Sequence, residues 1–501
     1  MNMDLGLRDW SRRAPDRVAV VCADGARVRY AELEHLANGL AQLVRASGLR
    51  RGDHVAAMLG NDPMLHALAW ACWRAGVYLT PVSTHASVAD ALYLLRDCRA
   101  RLVLIDARFA AVHAAACDAL RGQARVLAHG GAARELQQAL AGLRTSPIAD
   151  ESPGGLMLYT SGTTGAPKGV WRPLPERAEG PPSFARDLIE IYGFPADARF
   201  FSPAPLYHAA PLRFGLAMLT VGATVYLTDR FDAAAALDLI ERERITHSLW
   251  VPTMLQRLCD LPAARRTAHA APDHVMAMHA AAPCPVPLKR AMMDWWGPIL
   301  HEFYGGTESV GFCGIGPQEW LQHEGSVGRA LRGTLHVLDE DDAELPVGAT
   351  GRIAFSGASR FEYFGDPAKT ASRLSRQGFQ TFGDIGHVDA EGYLYLTDRM
   401  DDVIISGGVN IYPQEVEAAL MQARQVRECA VVGLPDQDYG ERVVAFVVLR
   451  DSAIDISETV AELEVFCHAR LGSVKRPKEI RLLAALPRSP VGKLLRRELK
   501  R

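Results

Sequence analysis

The sequence predicts an α/β protein built from a large N-terminal domain and a small C-terminal one, and three observations carry that prediction. First, 501 residues is enough chain for two to four domains and for cores that need no disulfide or metal staples. Second, short β-rich runs alternate with stretches of helical period through the first 150 residues and again from about residue 224. That alternation favours parallel sheets with helices on both faces. Third, from about Thr334 the pattern changes to short strands and turns, and near residue 400 to a compact α+β unit. The expected division is residues 1–399, with parallel and mixed sheets plus a β-rich subdomain, and residues 400–501.

In chain order, Arg17–Cys22 reads as a strand, and Tyr30–Ala46 as a helix with apolar positions at 33, 36, 37, 40, 41 and 44. The runs His54–Leu59 and Leu102–Ile105 read as buried strands flanking a helix over Met64–Ala75. Thr224–Leu227, Ala233–Arg242 and Ser248–Val251 repeat the strand–helix–strand order. Gly351–Phe355 and Gly392–Leu396 are strands of the β-rich region, and Pro173–Pro182 is a surface loop. Beyond Asp398–Asp402 come the strand Val403–Ser406, a helix over Pro413–Ala423, strands Cys429–Val432 and Arg442–Leu449, and a helix near Ser457–Leu471.

Composition excludes several classes. A net charge of -3 gives no sign of a protein that binds a nucleic-acid backbone. The longest apolar stretches, such as His66–Trp73, meet a charge before reaching membrane-spanning length, and MNMDLGLRDW has no apolar signal core. Nine scattered cysteines without a CxxC pair fit reduced thiols in a cytoplasmic protein. The composition is compatible with a homodimer. Of the basic residues only seven are Lys against 48 Arg, so each lysine is worth examining as a movable point charge.

The strongest local signal is Tyr159-Thr160-Ser161-Gly162-Thr163-Thr164-Gly165-Ala166-Pro167-Lys168-Gly169-Val170. Glycines let backbone N–H groups approach an anion, hydroxyls add donors, and Lys168 adds charge, so the string suits a phosphate-binding loop. It is not a Walker A loop. Further strings follow in order: Pro205-Leu206-Tyr207-His208, Tyr304-Gly305-Gly306-Thr307-Glu308, Thr381-Phe382-Gly383-Asp384, Asp398-Arg399-Met400-Asp401-Asp402, Ser406-Gly407-Gly408 and Pro487–Lys493.

Taken together, these strings resemble the adenylate-forming superfamily of acyl-CoA synthetases, peptide-synthetase adenylation domains and luciferases, most closely the bacterial acyl-CoA synthetases, over nearly the whole chain. The resemblance implies a carboxylic acid as substrate, ATP and Mg2+ to activate it as acyl-AMP, and coenzyme A as acceptor. It implies catalytic roles for Lys493, His208 and Glu308, and a metal held by Glu308 with Thr164. Nucleotide and coenzyme contacts fall to Thr160–Gly165, Lys168, Ala280, Ala281, Ala282, Tyr304, Gly305, Thr307, Asp384, Arg399, Gly407 and Gly408. The acyl pocket is expected at Tyr207, Ala209, Ala210, Trp250, Gly306 and Val310, with Asp401 as the hinge of a mobile C-terminal domain.

Each assignment also stands on chemistry. A carboxylate activates poorly unless its oxygen becomes part of a phosphate leaving group, so the site must orient two anions and neutralise departing pyrophosphate. Glu308 can hold magnesium, Tyr304 can stack on adenine, and Asp384 can accept from ribose hydroxyls. Small residues outnumber large ones in the expected pocket, which points to a bulky or cyclic apolar acid. Three functions are distinguishable: an acyl-CoA ligase, a free-standing ligase loading an acyl carrier protein, and an inert nucleotide-binding scaffold. Five complete polar positions, Lys168, Glu308, Asp384, Arg399 and Lys493, favour the enzymes over the scaffold.

Overall fold

Two parallel sheets are laid down first along the chain. The structure, a computed structural model, describes residues 6–160, 167–177, 180–358, 360–407, 409–450, 456–488 and 494–500. One sheet is wholly parallel, in the order Arg125–His129, Ala100–Asp106, His54–Met58, Tyr78–Pro81, Gly155–Leu156. The other has nine strands, and six at its centre are parallel: Val18–Val21, Thr224–Tyr226, Arg199–Phe201, His247–Trp250, Met276–His279 and Leu300–Gly305. Antiparallel strands close it, Arg27–Arg29 at one edge, Phe312–Ile315 and Arg329–Arg332 at the other.

The strand order reverses at Arg199–Phe201, which has the later strand Thr224–Tyr226 on one side and His247–Trp250 on the other. In open α/β sheets such a switch point leaves a crevice at the carboxyl ends of the strands. Four chain segments of interest leave the sheet there: residues 202–208, 251, 280–282 and 306–308.

Local sequence explains the flanking helices. Tyr30–Ala46 buries the face carrying Leu33, Ala37, Leu40 and Val44, and Glu32 accepts the Arg29 N–H at 2.7 Å to seal its first turn. Pro63–Arg74 begins with proline and is capped by Asp62, which accepts the Met64 N–H at 2.7 Å. Asp232 caps Ala233–Arg242 in the same way. A buried ion pair, Lys289 Nζ to Glu302 Oε2 at 2.7 Å, ties helix Val286–Trp296 to strand Leu300–Gly305.

Two small antiparallel sheets are tied to the crevice end of strand Leu300–Gly305, through the Tyr363–Glu308 and Tyr304–Asp384 hydrogen bonds. One contains Leu158–Thr160, Lys168–Trp171 and Glu362–Tyr363; the other contains Thr334–Leu338, Gly351–Ser356, Asp384–Val388 and Leu394–Arg399. Asp384 stands directly opposite Arg399 in that second sheet. A last sheet uses only residues after 400: Val409–Ile411, Ile404–Ser406, Gly440–Leu449 and Val426–Asp436, with Glu479–Leu482 parallel to Gly440–Leu449. Helices Pro413–Leu420 and Ile456–Arg470 accompany it.

The elements expected from sequence are present with shifted ends. Gly392–Leu396 is displaced to Leu394–Arg399, because residues 389–392 form a turn in which Asp389 accepts the Glu391 and Tyr393 N–H groups. The strand expected over Cys429–Val432 runs from Val426 to Asp436. All nine cysteines are free thiols. Among the described residues no helix is long and apolar enough to cross a membrane.

Candidate active site

Asp384 is the centre of the site. It accepts from the Tyr304 hydroxyl at 2.6 Å on Oδ2 and pairs with Arg399 Nε at 3.1 Å on Oδ1. Tyr304 reaches it from the carboxyl end of the parallel strand Leu300–Gly305, and Arg399 reaches it across the antiparallel register. Burial, reinforced by the Asp384 charge, drives the Tyr304 hydroxyl pKa upward, so it stays a donor. Burial opposes the Arg399 charge, but Asp384 and the neighbouring acids more than offset it and its pKa rises.

Glu308 lies beside this group. Its Oε1 accepts the Tyr363 hydroxyl at 2.8 Å, which links the turn to strand Glu362–Tyr363. Two arginines that sequence reasoning did not single out clasp this turn. Arg172 donates to the carbonyls of Glu308 and, at 3.0 Å, Ser309. Arg213 donates to Ser309 Oγ at 2.8 Å and to the Thr307 carbonyl at 3.2 Å. Burial and the like charge of Arg172 lower the Arg213 pKa to about 10. In a chain with 48 arginines nothing in the sequence marks these two, although Arg172 directly follows the hydroxyl–glycine string.

A buried carboxylate held on one oxygen suits a hard cation such as Mg2+, which takes oxygen ligands. Thr164, its expected companion, lies outside the described residues with the rest of 161–166. Thr160 and Lys168 flank that segment and face each other in register. The Lys168 ammonium pairs with Asp366 at 3.1 Å, and this contact raises its pKa.

His208 stands just before helix Ala209–Val221, its ring 4.4 Å from that of Tyr207. Burial, with a smaller contribution from His85, lowers its pKa to about 4, so the imidazole is neutral at pH 7. Its Nε2 is buried without a partner among the described residues. Ala280–Ala282 follow strand Met276–His279, and Ala281 holds a left-handed φ of 76° that an alanine adopts at a cost.

Two pocket expectations are corrected. Trp250 is not on a pocket wall. It is 1% exposed, donates its indole N–H to Ser248 Oγ, and packs against Phe201, Phe231 and Trp296 in the core behind the sheet. Val310 is fully buried with Phe355 and Phe382 in the core of the β-rich region. Gly306 opens no free space: a Cβ there would lie 2.5 Å from Phe382 Cδ1 and 2.8 Å from Glu308 Oε2. Its missing side chain lets the Phe382 ring and the Glu308 carboxylate close on the backbone.

Toward the C-terminus, Gly407 has φ 57° and donates its N–H to the Tyr439 carbonyl at 2.8 Å. Gly408, Lys493 and the side chain of Asp401 lie outside the described residues. The flanks of 489–493 are fixed: Arg488 bridges to Leu494, and the Leu495 N–H donates to the Pro487 carbonyl at 2.9 Å.

Residues 7–363 match the family described as AMP-binding enzyme, and residues 415–493 match the C-terminal domain of AMP-binding enzymes. The chain belongs to the AMP-binding enzyme family. Within this adenylate-forming superfamily it is most like bacterial acyl-CoA synthetases, and it is an AMP-forming, ATP-dependent acyl-CoA ligase that uses Mg2+ and coenzyme A. The long-chain-fatty-acid–CoA ligase FadD13 of Mycobacterium tuberculosis is 30% identical over 485 residues, 95% of this chain and 93% of its own length. The indoleacetate–CoA ligase of Aromatoleum aromaticum is 32% identical over 481 residues, 94% of this chain and 92% of its own. Among AMP-binding enzymes of known structure, ATP-bound MatB from Rhodopseudomonas palustris superposes with a TM-score of 0.86 at 29% identity, covering 100% of this chain and 98% of that one.

Proposed function

We propose that this acyl-CoA ligase activates a bulky or cyclic carboxylic acid, with residues 1–399 making the acyl-adenylate and residues 400–501 turning about Asp401 between half-reactions. The observation that carries the residue roles is the joint hold of Tyr304 and Arg399 on Asp384 at the mouth of the sheet crevice. Asp384 retains lone pairs for the ribose hydroxyls, and Tyr304 offers its ring to adenine. Mg2+ bound at Glu308 would neutralise charge on the phosphates. Thr160, Ser161–Gly165 and Lys168 supply donors and charge to the same phosphates.

In the first half-reaction a carboxylate oxygen attacks the α-phosphorus and the bond to pyrophosphate breaks. Neutral His208, beside Tyr207, lines the approach without adding charge. Lys493 supplies the cation that lets the two anions meet. In the second, the coenzyme A sulfur attacks the acyl carbon and AMP leaves, with Gly407 and Gly408 lining the thiol's path. Alanines 209 and 210 are partly exposed on the helix after His208, and such short side chains leave room for a wide acid. Relatives named for cyclic acids support the choice: indoleacetate, 2-succinylbenzoate and feruloyl ligases.

A fatty acid–acyl-carrier-protein ligase of Streptomyces coeruleorubidus, 30% identical over 98% of this chain, favours a carrier protein as the second reading of the acceptor. Pyrophosphate release with ATP and a panel of short, long-chain, aryl and polycyclic acids tests the reading, followed by thiol transfer to coenzyme A and to carrier protein. Turnover confined to acetate and propionate would refute the bulky acid. Transfer to the carrier alone would replace the acceptor.

A further inference from the structure

Helix Ala209–Val221 is buried along its length except at Ala209, Ala210 and Arg213. Positions 209, 210 and 213 share one face at helical spacing. The only part of this helix that reaches the crevice therefore carries two short side chains and one guanidinium. Opposite it run Gly305, Gly306, Thr307 and Ser309, all at least partly exposed. Phe184 lies under the guanidinium, its ring centre 5.8 Å from Cζ.

The company that Arg213 keeps does not account for its charge. Its two hydrogen bonds among the described residues go to a hydroxyl and a carbonyl, both neutral, and Arg172 already clasps the same turn by two further carbonyls. A guanidinium carries five N–H donors. Among the described residues the enclosed Nε–H of Arg213 meets no acceptor, and no carboxylate comes within ion-pair distance of the guanidinium. Buried or half-buried cations are ordinarily paired, because removing charge from water is expensive. The nearest acid is Glu308, whose charge would be committed to Mg2+ in the working enzyme.

We propose that Arg213 is a specificity-determining residue that receives a second carboxylate at the far end of the acid, so that the substrate is a dicarboxylic acid with an apolar body. This rests on the acid-activating function proposed above and names the class of acid. A carboxylate matches the planar fork of a guanidinium with two parallel hydrogen bonds, which neither an alkyl terminus nor a lone keto oxygen can do. Ala209 and Ala210 would clear the way for the acid's body, and Phe184 would back the cation.

The test compares acids matched in length with and without the second carboxylate: adipate against hexanoate, and 2-succinylbenzoate against 4-oxo-4-phenylbutanoate. The wild type should favour the diacid of each pair at least tenfold in kcat/KM, mostly through the KM for the acid. Arg213→Met should lower turnover of both, since the Thr307–Ser309 turn loses two bonds, but the diacid should fall at least tenfold further. Arg213→Lys should restore part of the diacid preference, and Arg213→Gln, which keeps neutral donors, should not; this pair also serves if Arg213→Met fails to fold. Equal loss for both acids in every variant, or a wild-type preference for monoacids, would overturn the proposal and leave Arg213 as a clasp on the turn. Calorimetric binding of the same acids separates this from the parent reading. Arg213-dependent diacid binding without pyrophosphate release from any acid would refute the proposed activation and leave the carboxylate site standing.

Discussion

The Tyr304 hydroxyl donates to Asp384 Oδ2 at 2.6 Å, joining two motifs that lie 80 residues apart. Strand Leu300–Gly305 belongs to the nine-stranded sheet and Asp384–Val388 to the small antiparallel one, so this bond closes the β-rich subdomain onto the crevice. The partners divide the carboxylate between them, with Tyr304 on one oxygen and Arg399 on the other.

Tyr304→Phe should therefore act on both stability and nucleotide binding. A hydrogen bond to a buried carboxylate contributes about 1.5–3 kcal/mol, and its loss leaves Asp384 Oδ2 under-satisfied. The KM for ATP should rise by roughly three- to tenfold, with a smaller change in kcat. Thermal unfolding and initial rates at varied ATP check this together. An unchanged KM with a lowered melting temperature would confine the bond to holding the subdomain in place.

Gly306 gives a second expectation, opposite to the one its size suggests. Adding a methyl pushes on the Phe382 ring and on Glu308, the carboxylate proposed to hold Mg2+, and overpacking of this kind costs about 1–3 kcal/mol. Gly306→Ala should lower turnover of small and large acids by similar factors. Competition kinetics with acids of increasing bulk decide it: selective loss of the largest acid would return Gly306 to the acyl pocket.

These contrasts mark what was legible in the sequence. Tyr304, Glu308, Asp384 and Arg399 are carried in short strings whose polar atoms have few uses, and the fold brings the last two opposite each other in register. Trp250 and Val310 were misplaced because neighbourhood along the chain does not say which face of a sheet a side chain takes. In His247–Trp250 both faces are buried, so Leu249 and Trp250 enter separate cores. The Phe382 ring that stands against Gly306 arrives from 76 positions later, so neighbourhood along the chain does not reveal it. Arg213 was invisible because only its exposed stripe on a buried helix sets it apart.

Lys493 falls in the sequence between two flanks that are held against each other, Pro487–Arg488 and Leu494–Leu495. Arg496, one turn further on, is tied to Glu417 and the Val431 carbonyl in the C-terminal sheet. Lys493→Ala should slow acyl-AMP formation by roughly 10²–10³-fold, the equivalent of about 3–4 kcal/mol of lost charge stabilisation. Given synthetic acyl-AMP, the variant should still form the CoA thioester at a near-normal rate. Single-turnover rates for each half-reaction measure both, and a parallel fall would assign Lys493 to the fold or the thiol site.

Asp398 makes the joint sensitive to pH. It is 2% exposed and accepts the Arg399 N–H at 2.8 Å and the Gln414 N–H at 2.9 Å, so it pins the start of helix Pro413–Leu420 to strand Leu394–Arg399. Burial raises its pKa from 3.8 to about 6, despite these bonds and nearby Arg496. A carboxyl whose pKa is raised by folding holds its proton more tightly in the native state than in the unfolded one. Its ionisation therefore costs stability as pH rises from about 4 to about 6, by about 3 kcal/mol at most, and nothing further above that. Asp398→Asn removes the titration but keeps a carbonyl acceptor for one of the two N–H groups. Relative to the variant, the wild type should lose stability progressively across pH 4–6 and hold a constant difference from pH 6.5 to 8. Denaturant midpoints at half-unit pH steps measure that difference. A wild-type-minus-variant gap that stays flat through pH 4–6 would show that folding does not raise the Asp398 pKa, and would refute the pH sensitivity of the joint.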